Sequence, residues 1–166
     1  MNPRPSARRA GVVIAAIAAN LLAGATLASA QESARVTVPA ILSVDVIDVM
    51  ASSAASPNPS RVSFDTANLL PTRALRISVR ADGDLAGPGG SSIAASLVSW
   101  TTSNVANGVG VNGTLSRTSS GIVFEGQPLT TSGGVDVVWT LAAPGVSVRA
   151  GNHQATLRWK IEAFTP

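Results

Sequence analysis

The side chain best suited to acid–base chemistry is His153, the single histidine of a 166-residue chain that contains no cysteine. A catalytic histidine needs a nucleophile and an orienting acid nearby in space, and no G-x-S-x-G segment presents a nucleophilic serine. The lack of cysteine also excludes a thiol nucleophile and a thiolate zinc site. We therefore predict that His153 lies in a solvent-exposed turn and that the protein is not an enzyme and has no catalytic residue.

A second candidate for chemistry is the segment Asp82-Gly83-Asp84, which is similar to the start of a calcium-binding loop. Such a loop needs further oxygen ligands and a closing glutamate, whereas Leu85-Ala86-Gly87 follows here. The glycine-rich stretches 87–90 and 108–113 do not lead into helices, so they do not form phosphate-binding loops. The sequence predicts a polar turn at residues 82–84, no metal site and no cofactor.

The three tryptophans could stack on sugar rings if they faced solvent. Trp139 and Trp159 occur at the same alternate positions as neighbouring apolar residues, which places them on a buried face. Trp100 ends its apolar segment and is the one we predict to be exposed, as a possible ligand contact. An exposed Trp100 beside the polar loops 82–92 and 103–113 would favour a module that binds carbohydrate or cell-wall polymer.

The elements that would position these residues follow a leader-like segment. Residues 1–9 carry three arginines, residues 10–27 are apolar, and Ala28-Ser29-Ala30 is a small-x-small cleavage site. This order is typical of a secretory signal peptide, and the apolar run is too short and too diluted for a membrane-spanning helix. We predict a signal peptide at 1–30 and one domain at 31–166. The expected location is the periplasm, or the cell surface and extracellular space.

The charge of the chain changes when this leader is set aside. The whole chain has 12 basic and 9 acidic side chains. The predicted mature chain keeps nine of each, so it has no basic excess that would bind nucleic acid or a charged membrane surface. We predict no membrane insertion after cleavage. An exported chain without disulfides fits a bacterial protein better than a secreted eukaryotic one.

Apolar and polar residues alternate through most of the mature chain, as in strands with one buried face. The first alternating segment, residues 35–46, predicts one strand, with Pro39 at an edge or kink and a break near Val46. Its apolar residues, which form a possible strand-pairing segment, are Val36, Val38, Leu42, Val44 and Val46. Residues 135–141 and 155–163 give the clearest later strands. About eight short strands predict an all-β fold, an antiparallel immunoglobulin-like β-sandwich.

The first predicted strand follows the cleavage site closely and is separated from the next by the Ser/Ala/Pro/Asn-rich loop 51–60. A strand in this place can complete its own sandwich. It can also pair with a neighbouring subunit by strand addition. Both arrangements remain open at this stage.

The layout resembles secreted bacterial pilin-like and spore-coat-U-like β-sandwich subunits. The resemblance is carried by the first alternating segment, by Val62-Ser63-Phe64 and by the closing AGNHQATLRWKIEA. It implies a structural or adhesive protein of a bacterial surface or extracellular assembly, whose partners are further copies or other subunits. The chain lacks the cysteine pair and C-terminal tyrosine frequent in chaperone–usher pilins. Trp139-Thr140-Leu141 resembles the W-x-L signature of cell-wall-binding surface domains, which implies a glycan partner instead.

Overall fold

The computed structural model describes residues 32–166, which fold as an all-β protein. The predicted signal peptide at 1–30 lies outside the described residues. The strands are β1 Ser33–Thr37, β2 Ile41–Val46, β3 Ser53–Ser56, β4 Ser60–Asn68, β5 Ala74–Ala81, β6 Leu85–Ala86, β7 Ser92–Ile93, β8 Val98–Ala106, β9 Gly108–Gly110, β10 Gly113–Thr114, β11 Gly121–Gly126, β12 Gly133–Leu141 and β13 Gly151–Phe164. Two short 3₁₀ helices, Pro88–Gly90 and Ala95–Leu97, lie between them. None of the helices in this part of the chain has the length and apolarity needed to cross a membrane.

All strand pairs are antiparallel, which confirms the predicted all-β antiparallel class. The main path through the sheet runs β1-β4-β12-β3-β2-β13-β5-β11-β9. Off this path, β8 pairs with β12, β10 with β8, β6 with β13, and β7 with β6. The thirteen strands exceed the eight or so predicted because β6, β7, β9 and β10 have only two or three residues. Strands of that length are too short for alternation to reveal.

The sheet curls so that strands far apart in its order pack against each other. Phe64 on β4 and Phe124 on β11 are six steps apart along the strand order, yet their ring centroids are 5.9 Å apart. Both rings are buried. One face of the sheet therefore encloses a common core, whose largest fully buried side chains include Trp139, Phe124, Leu42, Ile77 and Leu85.

The predicted first strand at residues 35–46 is wrong in one respect, because it forms two strands rather than one. β1 pairs with β4, whereas β2 pairs with β3 and β13. The break falls at Pro39, which has no N–H to donate to a ladder. Pro39 therefore lies at a kink, as predicted, and β2 ends at Val46, where the sequence predicted a break.

The last strand joins two parts of the sheet. The first half of β13 pairs with β2, from Gly151 opposite Val46 to Thr156 opposite Ile41. Its second half pairs with β5, from Leu157 opposite Ala81 onward. The strands predicted at residues 135–141 and 155–163 correspond to β12 and β13, and both begin earlier than predicted.

Charged side chains lie on the outer face, where several form ion pairs across neighbouring strands. Asp136 on β12 accepts hydrogen bonds from Asn104 Nδ2 at 2.8 Å and from Arg61 Nη1 at 3.0 Å. The Asn104 hydrogen bond, followed by that of Arg61, lowers the pKa of Asp136 below its ordinary value of 3.8. Both interactions favour the ionised carboxylate.

We expect the phenylalanine pair to dominate core stability. Phe64→Ala removes a buried ring and leaves a cavity, so it should lower the free energy of unfolding by about 3–5 kcal/mol. Phe164→Ala is the matched control, because this half-buried ring lies under Arg76 and outside the core. Urea denaturation followed by tryptophan fluorescence measures both variants, and equal losses would contradict this account of the core.

The Asp136 ion pair should make stability depend on pH in a stated direction. A carboxyl whose pKa is lower in the folded than in the unfolded protein stabilises the fold above its unfolded pKa. That contribution is lost as pH falls through the lower folded pKa. Asp136→Asn should therefore destabilise the protein at neutral pH. The difference in stability between this variant and the wild type should shrink once pH falls below 3.8. Thermal unfolding across pH tests this, and a constant deficit at every pH would contradict it.

Candidate functional site

His153 is fully buried, so the prediction of a solvent-exposed turn is wrong. The reason is that β13 begins at Gly151, and His153 then shares the core-facing side of the strand with Ala155 and Leu157. The alternation that predicted this strand extends back to residue 153 and could have revealed the burial. Gly87 packs directly on the ring, since a Cβ at this glycine would lie 2.1 Å from His153 Cδ2.

Both ring nitrogens of His153 have hydrogen-bond partners. Nδ1 lies 3.1 Å from the carbonyl oxygen of Gly151, to which it donates. Nε2 lies 3.3 Å from the Ser91 hydroxyl. Ser91 Oγ in turn accepts from the backbone N–H of Arg149 at 3.1 Å. The imidazole thus connects the loop at 87–91 to the start of β13. Its Nδ1 partner is a neutral carbonyl, whereas a catalytic histidine would have a carboxylate in this place.

The two carboxylates of the Asp82-Gly83-Asp84 segment point to different arginines. Asp82 pairs with Arg158, whose Nη2 lies 2.7 Å from Oδ2, and this hydrogen-bonded partner lowers the pKa of Asp82. Asp84 pairs with Arg117 at 3.1 Å and accepts the Ala95 N–H at 3.0 Å. Within residues 32–166, no three His, Asp or Glu side chains are grouped as metal ligands.

Trp100 is 2% exposed, so the prediction that it faces solvent as a ligand contact is wrong. It does not end a strand, because β8 continues to Ala106. Its ring packs at 60° against Trp139 with centroids 5.6 Å apart, and its Nε1 donates to Val111 O at 2.7 Å. Gly113 approaches so closely that a Cβ there would lie 2.4 Å from the indole.

The other two tryptophans also direct their indole N–H groups into the fold. Trp139 is fully buried and donates to Ser60 Oγ at 2.9 Å. Trp159 is half-buried and donates to Pro39 O at 2.6 Å. The burial predicted for Trp139 is confirmed, whereas Trp159 is covered only in part. In the described part of the chain, no buried side-chain nitrogen or oxygen lacks a partner.

A shallow polar cavity of about 200 Å³ lies between the loops around residues 84–96 and 116–118. Its lining residues are Asp84, Ala94, Ser96, Ser116, Arg117 and Thr118. Arg117 and Asp84 are paired with each other across it. The lining has hydroxyl groups and one ion pair but no aromatic ring, so it provides no surface on which a sugar could stack.

The predicted strand-pairing segment is divided between two strands. Val36 lies on β1 and faces the core, Val38 is half-buried in the connection, and Leu42, Val44 and Val46 are buried on β2. β1 pairs only with β4 among the described strands, so its outer edge has no strand partner there. β2, in contrast, is held between β3 and β13.

A further unpaired edge lies on the second half of β13 and was not predicted. The N–H of Leu157 donates to Ala40 O on the β2 side of the strand. The carbonyl of Thr156 accepts from the N–H of Asp82 on the opposite, β5 side. Backbone groups alternate in direction along a strand, so residues 159, 161 and 163 direct theirs away from β5. No described strand lies there, because the chain turns away from β13 at Pro39. We call residues 159–163 of β13 the open edge.

One arginine bridges the outer edge of β1 and the open edge of β13. Arg73 Nη1 lies 2.7 Å from Glu32 Oε2, just before β1, and its Nη2 donates to the carbonyl of Ala163. Apolar side chains border the space between the edges, and Val38, Trp159 and Ile161 pack against the core while remaining half-buried. Apart from the Ala163 carbonyl, which Arg73 engages, the open edge therefore combines backbone groups that have no strand partner with apolar side chains. The break at Pro39 is the sequence signal that could have indicated it.

Trp139 and Ser60 should be energetically coupled through their hydrogen bond, so that the effects of mutating them are not additive. Ser60→Ala leaves the buried indole N–H without an acceptor and should cost about 1–3 kcal/mol of unfolding free energy. Trp139→Phe should cost less in the Ser60→Ala background than in the wild type, with a coupling of about 0.5–3 kcal/mol. Ser103→Ala, at an exposed position on β8, is the control. Urea denaturation of the double-mutant cycle measures the coupling, and additive losses would exclude it.

Comparison with known proteins does not assign this chain to a family. No family model, no curated protein and no solved structure matches it. Function is therefore inferred from the placement of its own residues. The histidine and two of the tryptophans are buried and hydrogen-bonded within the fold, while the open edge of β13 has backbone groups without a strand partner.

Proposed function

We propose that this protein is an exported, non-enzymatic structural or adhesive subunit of a bacterial surface or extracellular assembly. In this proposal, residues 1–30 are a signal peptide and residues 31–166 are one immunoglobulin-like β-sandwich. The basic, apolar and small-residue order of the leader supports export. The approach of Phe64 and Phe124 from distant strands supports two packed layers.

The observation that carries the proposal is the open edge of β13. Ile161 directs both its N–H and its C=O away from β5, and neither meets a strand among residues 32–166. A row of unpaired backbone groups is a template for another strand. An extended segment of a second subunit that pairs there would continue the antiparallel sheet through the neighbouring molecule.

Side chains beside the open edge would contribute most of the affinity. Each new backbone hydrogen bond adds only about 0.5–1.5 kcal/mol, and the open edge is five residues long. Trp159 and Ile161 are half-buried and would lose further apolar surface to a strand laid beside them. A joint of this kind is weak by itself and gains strength when each subunit is held by two neighbours, as in a fibre or layer.

The chemistry of the remaining residues supports a structural role. His153 has no exposed nitrogen and its partners are Gly151 and Ser91. Trp100 cannot form a stacking platform while it is buried against Trp139. These placements favour strand pairing over catalysis and over the glycan-binding alternative, since both of those need side chains that reach a ligand.

Proline scanning of the open edge tests the proposal. Ile161→Pro removes an N–H that faces outward and leaves the β5 ladder intact, so it should abolish association while the chain remains folded. Ile161→Ala keeps the N–H but loses apolar contact, so it should associate more weakly than the wild type and more strongly than Ile161→Pro. Ala163→Pro removes the next outward N–H and provides a second test if the first variant is unstable. Size-exclusion chromatography with light scattering measures mass, and circular dichroism measures folding.

Two results would contradict the proposal. The wild-type protein could remain monomeric at all concentrations, which would leave the open edge without an assembly role. Alternatively, folded Ile161→Pro and Ala163→Pro variants could associate as strongly as the wild type, which would place the contact elsewhere on the molecule.

A further inference from the structure

A side chain already occupies one end of the open edge. The backbone groups of Ala163 point away from β5, and the Ala163 carbonyl accepts a hydrogen bond from Nη2 of Arg73. The guanidinium therefore lies on the side of β13 from which a pairing strand would approach. Such a strand would lie about 4.8 Å from β13, where it would overlap the position of the guanidinium.

Glu32 fixes the position of Arg73. Its Oε2 lies 2.7 Å from Arg73 Nη1, and its Oε1 accepts a hydrogen bond from the N–H of Leu70 at 3.1 Å. The N–H of Arg73 donates to Leu70 O at 2.9 Å, in the turn between β4 and β5. The side chains of Arg73 and Glu32 are 34% and 17% exposed, so salt and water screen their ion pair only in part. We call Glu32, Arg73 and Ala163 the clasp.

The clasp needs an arginine because it has two partners on opposite sides. One guanidinium nitrogen bonds the carboxylate that precedes β1, and the other bonds the carbonyl on β13. The donors of arginine lie in one rigid plane, which suits two fixed acceptors at once. A lysine would bring the same charge to Glu32, but its single nitrogen could not hold both acceptors in this geometry.

Strand addition at Ala163 has to compete with the clasp. The donor that Arg73 provides is charged, whereas the backbone N–H of a partner strand is neutral. A hydrogen bond with a charged donor is about twice as strong as one between neutral groups. A partner that pairs as far as Ala163 therefore exchanges a stronger hydrogen bond for a weaker one. Charged side chains on edge strands commonly limit pairing between molecules.

We propose that the clasp is a gate that limits strand addition to the open edge. This inference rests on the proposed function, because it concerns the regulation of the same edge. In the closed state Arg73 occupies the Ala163 carbonyl, and full pairing requires the open state. The apparent affinity of the edge is then reduced by the fraction of molecules that are open. Dilute subunits remain apart, and association begins where subunits are concentrated.

Removal of Arg73 tests the gate. Arg73→Ala frees the Ala163 carbonyl, so it should strengthen self-association about tenfold over the wild type. Arg73→Lys should give a smaller gain, because the lysine can still reach one of the two acceptors. Analytical ultracentrifugation over a range of protein concentrations measures the association constants, and circular dichroism verifies that each variant is folded. Glu32→Gln, which weakens the anchor of Arg73, provides a second test if Arg73→Ala is unstable.

Arg61→Ala is the matched control for the loss of an arginine. Arg61 also joins a carboxylate to a backbone carbonyl, since its Nη1 lies 3.0 Å from Asp136 Oδ1 and 3.1 Å from Asn104 O. These contacts lie on the outer face beside β4, β8 and β12, away from the open edge. Arg61→Ala should therefore leave self-association unchanged. The double variant Arg73→Ala/Ile161→Pro should lose the gain, because it lacks an outward N–H of the open edge.

The outcomes separate the gate from the proposed function. A gain with Arg73→Ala that the double variant loses supports the gate. If Ile161→Pro abolishes association but Arg73→Ala associates no more strongly than the wild type, the gate is wrong and assembly through the open edge stands. If the wild type and Arg73→Ala both remain monomeric at all concentrations, both proposals fail. An equal gain with Arg61→Ala, or a gain that persists in the double variant, also overturns the gate.

Discussion

The arrangement of the sheet follows from the break in the first alternating segment at Pro39. Proline occurs in sheets only at edges, strand starts and bulges, and here β1 ends before it and β2 begins after it. β1 and β2 are first and fifth along the sheet order, yet only residues 38–40 separate them. Thr37 and Ile41 can lie at most about 14 Å apart, whereas four strand spacings in a flat sheet cover about 19 Å. The sheet must therefore curl, and the same break leaves the second half of β13 without a partner on one side.

Hydrogen bonds and packing of the tryptophans hold the sheet in its curled form. Each indole N–H finds an acceptor in a different segment. Trp139 and Trp159 thereby connect chain regions that are distant in sequence, whereas Trp100 joins its strand to nearby Val111. Trp159 donates to Pro39 O itself, which fastens the kink to the last strand. Glycines opposite Trp100 supply the room for its ring. Groups that first suggested chemistry thus serve to hold the curled sheet closed.

Alternation in the sequence was sufficient to predict the class, the antiparallel pairing and the last two long strands. It failed where the side-chain environment depends on distant segments. The burial of His153 depends on where β13 begins, and the burial of Trp100 depends on Gly113 and Gly121 crossing its ring. The open edge was not predicted because strand pairing is a relation between segments. A one-dimensional pattern carries no record of which strand has a neighbour or which loop is covered.

The pairing of β2 with β13 has a consequence for the order of folding. Residues 41–46 find their partners at residues 151–156, so this ladder joins the beginning of the described chain to its end. Contacts of such long sequence separation form slowly, because the loop between them must first be closed. The core residues Leu42 and Val44 cannot be covered by their final strand until almost the whole chain has emerged. This part of the core is therefore completed only at the end of synthesis, so a shortened chain that ends before residue 151 would leave β2 without its last partner.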